Sequence, residues 1–301
     1  MQKNVAECIT HIGQPPCLSK KDIQRFGFLI TVSSVPAISE HLTVPQAALE
    51  SFISHFETVS QTLSFMLRYT ATKKGILPKL MLGGAGVTKF TEALAHTLGY
   101  ANIKVGTEMR RIGKLYGFTN EKEFGEFLQN EVLRDPTYDY QLDASVLPHI
   151  LSGKRVVMDS KIWALLLGRP QAFDQRTPSF VHPFSPLNTF RPAQINIGAT
   201  NEAHIATKRM WNRQLQIATE AGIPYEKSLH DVEQEQMDRW FTDFIRFWKT
   251  YRILYTRASF IRNSHYLIKT DPSVSELADI ALAQLRLDYG SAFVEFLQQV
   301  S

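Results

Sequence analysis

Cysteine is scarce in this sequence. Only Cys8 and Cys17 occur in 301 residues, and neither stands in a Cys-x-x-Cys or Cys/His pattern with metal-ligand spacing. A disulfide scaffold and a zinc module are thereby excluded, and a reducing compartment, the cytoplasm, is expected. Apolar runs long enough to cross a bilayer are missing, as is a basic segment followed by an apolar one near the N-terminus. No membrane association is expected. Runs of Lys and Arg are also lacking: 33 basic and 29 acidic residues give a formal charge of +4, spread along the chain. That balance suits anionic small molecules and argues against nucleic acid. Internal repeats and low-complexity tracts are absent as well.

What is present is a 44% hydrophobic chain, long enough for one large core or two smaller ones. Residues 1–75 read as a separate, mainly helical segment, with a helix from Pro45 to about Tyr69 whose Leu49, Phe52, Ile53 and Phe56 recur at helical spacing. Those 75 residues are the part expected to meet a protein partner, if there is one. From residue 76 the pattern becomes alternating strands and helices. KLML, NIKVG, RVVMD, AQINIGAT and SHYLIKT are strand candidates, separated by helical stretches such as FTEALAHTLGY, closed by Gly99, and EFGEFLQNEVL, opened by Asn120 and Glu123. This alternation predicts a parallel sheet wrapped by helices, an α/β fold. Five prolines and four phenylalanines between Gly168 and Pro192 rule out regular structure there and read as an ordered loop insertion over 168–192 or a flap.

Between KLML and the first of those helices stands Gly83-Gly84-Ala85-Gly86-Val87-Thr88-Lys89-Phe90-Thr91. In a GxxxxGK[ST] loop, glycines let backbone N–H groups wrap phosphates, the lysine adds positive charge, and the following hydroxyl holds Mg²⁺. Aligned on Lys89, the stretch keeps Gly83 and Gly86. It places β-branched Thr88 where glycine is expected and Phe90, which cannot ligate a metal, where the hydroxyl is expected. Thr91 offers a hydroxyl one residue later, about 100° further round a helix, and is only a weak metal candidate. The plainer alternative is an ordinary strand-to-helix turn that contains a lysine.

The residues that follow resemble the nucleoside monophosphate kinases, most of all the cytidylate kinases of the short, archaeal-like type, from about Leu80 to Leu285. KVGTEMRRIG offers Gly106 and Arg110; YDYQLDASV offers Asp139 and Asp143, four apart. VVMDSK offers Asp159, Ser160 and Lys161, with lysine where the family has arginine. DRWFTDFIRFWKTYRI offers Arg239, Asp243, Arg246, Phe247 and Tyr251, with Trp240 replacing the family's glutamate. The resemblance implies a three-layer α/β/α P-loop domain over 76–301, with an acceptor-binding region at about 103–150 and a lid at about 208–240. It implies ATP on residues 83–89 and Thr91, with Lys89, Arg239 and Arg246 acting on the transferred phosphate alongside Lys208, Arg209 or Arg213. Arg110, Asp139, Asp143, Lys161 and Asp243 are implied to hold the acceptor, CMP, dCMP or a related nucleotide, with Mg²⁺ as cofactor. The altered loop leaves a second expectation open: a catalytically impaired relative that binds nucleotide or a protein partner. The plainer alternative for the arginines is a solvated helix face, with Asp243 paired to Arg246 or Arg239 in a surface contact worth under about 1 kcal/mol.

Overall fold

The computed structural model describes residues 9–12, 15–35, 37–43, 79–82, 86–130, 137–152, 154–167, 193–251, 253, 255–270 and 274–299. The helix expected over 45–69, the insertion over 168–192, and Gly83, Gly84 and Ala85 lie outside them. The chain divides into two compact units. The first holds residues 1–35, 85–200 and 244–301, and the second 36–84 and 201–243.

The first unit is built on strands β1 (Ile9–His11), β2 (Phe28–Ser34), β5 (Ala101–Lys104), β6 (Arg155–Asp159), β7 (Ala193–Thr200) and β8 (Tyr266–Lys269). They form one sheet in the order β1-β8-β7-β2-β6-β5. All pairings are parallel except β1 with β8. The central strand is β2, FLITVSS, whose first six residues are all buried, as a strand covered on both faces requires. Helix α1 (Lys20–Phe26) delivers the chain to it. Ser19 accepts from the Asp22 N–H at the start of α1, and Gly27, at φ 82°, ends it by donating to the Ile23 carbonyl.

Helices pack on both faces of the sheet. On one face Phe28, Ile30 and Val32 join α2 (Val87–Leu98), α10 (Val274–Tyr289) and α11 (Ser291–Gln299) in a single apolar cluster. On the other, Thr31 donates to Asn196 Oδ1 at 2.5 Å, and Asn196 Nδ2 donates to the Asn263 carbonyl at 2.8 Å, at the end of α9 (Arg257–Asn263). Gly198 of β7 is required by close approach. A Cβ there would stand 2.6 Å from Leu267 and 2.7 Å from Ser264 and Val35. Helices α3 (Val105–Leu115), α4 (Glu121–Asn130) and α5 (Thr137–Leu151) enclose a smaller core of Ile112, Phe124, Tyr138 and Leu142. Asn120 opens α4 as expected, accepting from the Glu123 N–H at 2.8 Å.

The second unit contains a two-stranded antiparallel sheet, β3 (Ala37–Thr43) with β4 (Lys79–Leu82). It also holds α7 (Ala203–Glu220) and all of α8 (Leu229–Tyr251) but its last residues. Trp211 donates to the Lys227 carbonyl at 2.8 Å and meets Tyr225 edge to face, which fixes the turn between these helices.

Two expectations are corrected here. Residues 1–75 are not a separate extension: β2 is the middle of the main sheet and β1 lies at its edge. KLML is a strand, but it pairs with β3 and not with RVVMD or AQINIGAT. Short apolar runs state their period but not their partner, and FLITVSS, which follows Gly27, fills a central place in the sheet that the strand candidates did not include.

Candidate functional site

In an open parallel sheet, ligands bind beyond the carboxyl ends of the strands, where neighbouring connections leave in opposite directions. Among the parallel strands, β2 leads through α2 to β5 and β6 on one side, while β7 and β8 lie on the other. The switch therefore falls at the carboxyl ends of β2 and β7. The residues that end β2, β6 and β5 are Ser34, Asp159 and Lys104.

Helix α2 begins beside this edge. Gly86 occupies its N-cap with φ 71° and ψ 27°, a left-handed conformation that glycine adopts without strain, and no side chain caps the first turn. Among the described residues no side chain takes the first N–H groups of α2, the usual makings of an anion site. Val87 and Phe90 turn inward while Thr88 and Lys89 are exposed. Thr88 donates its hydroxyl to Asp159 Oδ2 at 2.6 Å, joining the start of α2 to the end of β6. Burial holds the Asp159 carboxyl above its usual range, against the opposing pull of the Thr88 bond and of Lys104 and Arg110 nearby. Lys104 forms an ion pair with Glu92, one turn beyond Thr88 on α2. Arg110 is exposed on α3, 3.4 Å from the Thr107 hydroxyl. Ser160 is buried directly after Asp159. Its hydroxyl accepts from the N–H groups of Ile162 and Trp163 and so opens α6 (Trp163–Leu167), while Lys161 beside it is exposed.

Thr91, expected as a weak metal ligand, is corrected: it is fully buried and its hydroxyl donates to the Thr88 carbonyl at 2.8 Å. Phe90, in the place of the metal-binding hydroxyl, is fully buried in the main core. Helical geometry decides both, since one turn of α2 presents residues 88, 89 and 92 outward and 87, 90, 91 and 94 inward.

A second group of expected site residues comes together elsewhere, between α5 and the end of α8. Asp139 and Asp143 are 3% and 2% exposed, and Arg246 and Tyr251 are 6% and 1% exposed. Arg246 Nε lies 3.6 Å from Asp139 Oδ2, and its guanidinium sits over the Phe247 ring at 4.6 Å. Tyr251 donates its hydroxyl to Asp143. Burial, with the nearby charge of Asp139, pushes Asp143 up to about 8, opposed by the Tyr251 bond and by Arg246. Burial and the facing carboxylates raise Tyr251 well above the usual phenol range. Arg246, expected to contact the transferred phosphate, and Asp139 and Asp143, expected to contact the acceptor, are thus buried together where α5 meets the end of α8. Arg239, Lys208, Arg209, Arg213 and Asp243 belong to the second unit, and Asp243 is buried there.

Sequence reading missed Lys104 as part of the site. The signal was present, since Lys104 ends a strand next to the glycine of KVGTEMRRIG, but only the sheet register sets it beside Asp159. Among the described residues no cluster of three His, Cys, Asp or Glu side chains is placed to hold a metal ion, and no helix is long and apolar enough to cross a membrane. No known family model matches the chain, and no curated protein matches it.

Proposed function

We propose that the protein is a P-loop phosphotransferase of the nucleoside monophosphate kinase kind, passing the γ-phosphate of ATP to CMP, dCMP or a related nucleotide. The observation that carries this reading is the bond from Thr88, the residue before the exposed Lys89, to Asp159 at the carboxyl end of β6 beside the central strand. Phosphoryl transfer asks little covalent chemistry of a protein. It asks for in-line positioning and for positive charge around oxygens that gain charge in the transition state. The first N–H groups of α2 and the exposed ammonium of Lys89 are suited to the donor phosphates. Arg110 and Lys161 are suited to the acceptor phosphate, so that one of its oxygens attacks the γ-phosphorus as ADP leaves.

Magnesium is implied by this chemistry, and the donor set fits it in part. Asp159 and Thr88 are hard oxygen donors 2.6 Å apart, and Mg²⁺ commonly takes one or two protein oxygens with phosphate and water completing its shell. Bound there, the ion would neutralise charge on the bridging phosphates. Thr88, before the lysine, thus takes the part that sequence pattern gives to a hydroxyl after it.

One observation favours a second reading, a nucleotide-binding protein without transferase activity: both residues that follow Lys89 are fully buried, so neither brings a hydroxyl to the edge. The two are separated by measuring phosphoryl transfer from ATP to CMP, dCMP, UMP, AMP and GMP, with and without Mg²⁺. Lys89→Ala serves as the blank, and ATP binding is followed in parallel. The expected result is metal-dependent transfer to a pyrimidine monophosphate, lost in the blank. ATP binding without transfer to any acceptor selects the second reading, and failure to bind ATP or any monophosphate sinks both.

A further inference from the structure

The family resemblance implied Arg110 and Lys161 as holders of the acceptor phosphate. The fold adds a third cation and a carboxylate that competes for it. Lys104 and Asp159 end neighbouring strands and are partners in register. The groups they hold, Glu92 and Thr88, are four residues apart on α2 and so share one helix face. The result is a two-rung ladder between α2 and the strand ends, with Thr88 on Asp159 and Glu92 on Lys104. Arg110 stands within electrostatic reach of the same Asp159. The upper rung is open to solvent, with the Lys104 side chain 33% and the Glu92 side chain 46% exposed, whereas Asp159 is half-buried. An exposed Lys–Glu pair is held weakly and exchanges readily for a better anion. A phosphate monoester offers more charge and more acceptor oxygens to the Lys104 ammonium than the Glu92 carboxylate does.

We propose that Lys104 forms a phosphate-monoester subsite and that Glu92 is its internal competitor, displaced from Lys104 when the acceptor phosphate arrives. This inference rests on the phosphotransferase reading for the identity of its ligand. Glu92 keeps Lys104 extended along the sheet edge while the subsite is empty and sets a threshold for filling it. Neutralising Glu92 then tightens monophosphate binding, and neutralising Lys104 loosens it. The two changes are not additive, because Glu92 acts only through Lys104.

The test is calorimetric titration of the full chain with CMP and, separately, with inorganic phosphate, in the absence of ATP. The variants are Glu92→Gln, Lys104→Met and the double variant, with Glu220→Gln as a control for removing a surface charge elsewhere. Glu92→Gln should tighten both ligands by roughly three- to tenfold, and Lys104→Met should weaken both by about tenfold or more. The double variant should resemble Lys104→Met, with Glu220→Gln unchanged. CMP affinities equal to wild type in both Lys104→Met and Glu92→Gln overturn the subsite while leaving the phosphotransferase reading intact if ATP still binds. Lys104-dependent CMP binding without any phosphoryl transfer supports the subsite and overturns the transferase. Wild-type protein that binds neither CMP nor phosphate overturns the subsite outright.

Discussion

The edge of the sheet and the α5–α8 contact are made from the same residue types, acids facing bases and hydroxyls, and both were read from one resemblance as substrate-contacting. They behave oppositely. At the edge, Thr88, Glu92 and Arg110 are exposed near the half-buried Asp159, and Lys89 is exposed on the first turn of α2. Between the helices, Asp139, Asp143, Arg246 and Tyr251 are all at most 6% exposed. In the first setting charge is available to a ligand. In the second it is committed to the fold, and its removal is felt as instability, because a buried charge that loses its partner keeps its desolvation cost. Motif spacing does not separate the two, whereas burial does.

The largest effect should come from Arg246→Met, which leaves the buried Asp139 carboxylate without its guanidinium. A loss of about 3–5 kcal/mol in denaturant unfolding is expected, partly recovered in the Asp139→Asn/Arg246→Met double variant. A variant of normal stability with weakened CMP binding would falsify the assignment of this group to structure. Phe90→Ser, which restores the hydroxyl that the loop pattern asks for, should cost a similar amount, about 3–5 kcal/mol, since it empties a fully buried aromatic site. An unfolding midpoint equal to wild type would show instead that Phe90 is dispensable to the core.

A third test is the pH dependence of stability. Asp143 in the folded protein titrates near 8 rather than at its ordinary value of 3.8, so the folded state holds its proton more tightly than the unfolded chain. Its contribution is fully present below pH 3.8 and is lost as pH rises through about 8. Asp143→Asn stays neutral and still accepts from Tyr251, so its stability relative to wild type should rise steadily across that window. Unfolding curves at several pH values measure the difference, and parallel profiles would remove Asp143 from the titrating groups.

Smaller effects are expected at the edge. Thr88→Val removes the bond to Asp159 and should cost about 1 kcal/mol in stability, with a larger proportional loss in Mg²⁺-dependent ATP binding. A stability change with unaltered nucleotide binding would make that bond a packing device. Least of all should follow from Glu108→Gln. Its pair with Arg111 is a solvent-screened i, i+3 contact at 2.6 Å, and its loss should leave the unfolding midpoint unchanged.

Much of the architecture was legible in the residues. RVVMD and AQINIGAT are strands over their full length, Gly99 closes α2 at φ 70°, and Asn120 caps α4. Local chemistry controls these features, since β-branched runs, left-handed glycines and capping side chains act within a few residues of themselves. The candidate site was legible in part. Lys89 and Arg110 were named as site residues and are exposed, while Thr91, Arg246, Asp139 and Asp143 were named and are buried.

By itself, then, the sequence determined an α/β chain with alternating strands and helices, a glycine-started helix carrying Lys89, and an abundance of paired charges. Only the tertiary structure decided that FLITVSS is a central strand while KLML pairs with β3, that Lys104 stands beside Asp159, and which acids are sealed between helices. Those choices depend on pairing and burial between residues up to 165 positions apart, as in the Thr31–Asn196 bond, and no local pattern records them. The hydrophobic free energy that selects one pairing over another belongs to the whole assembled core.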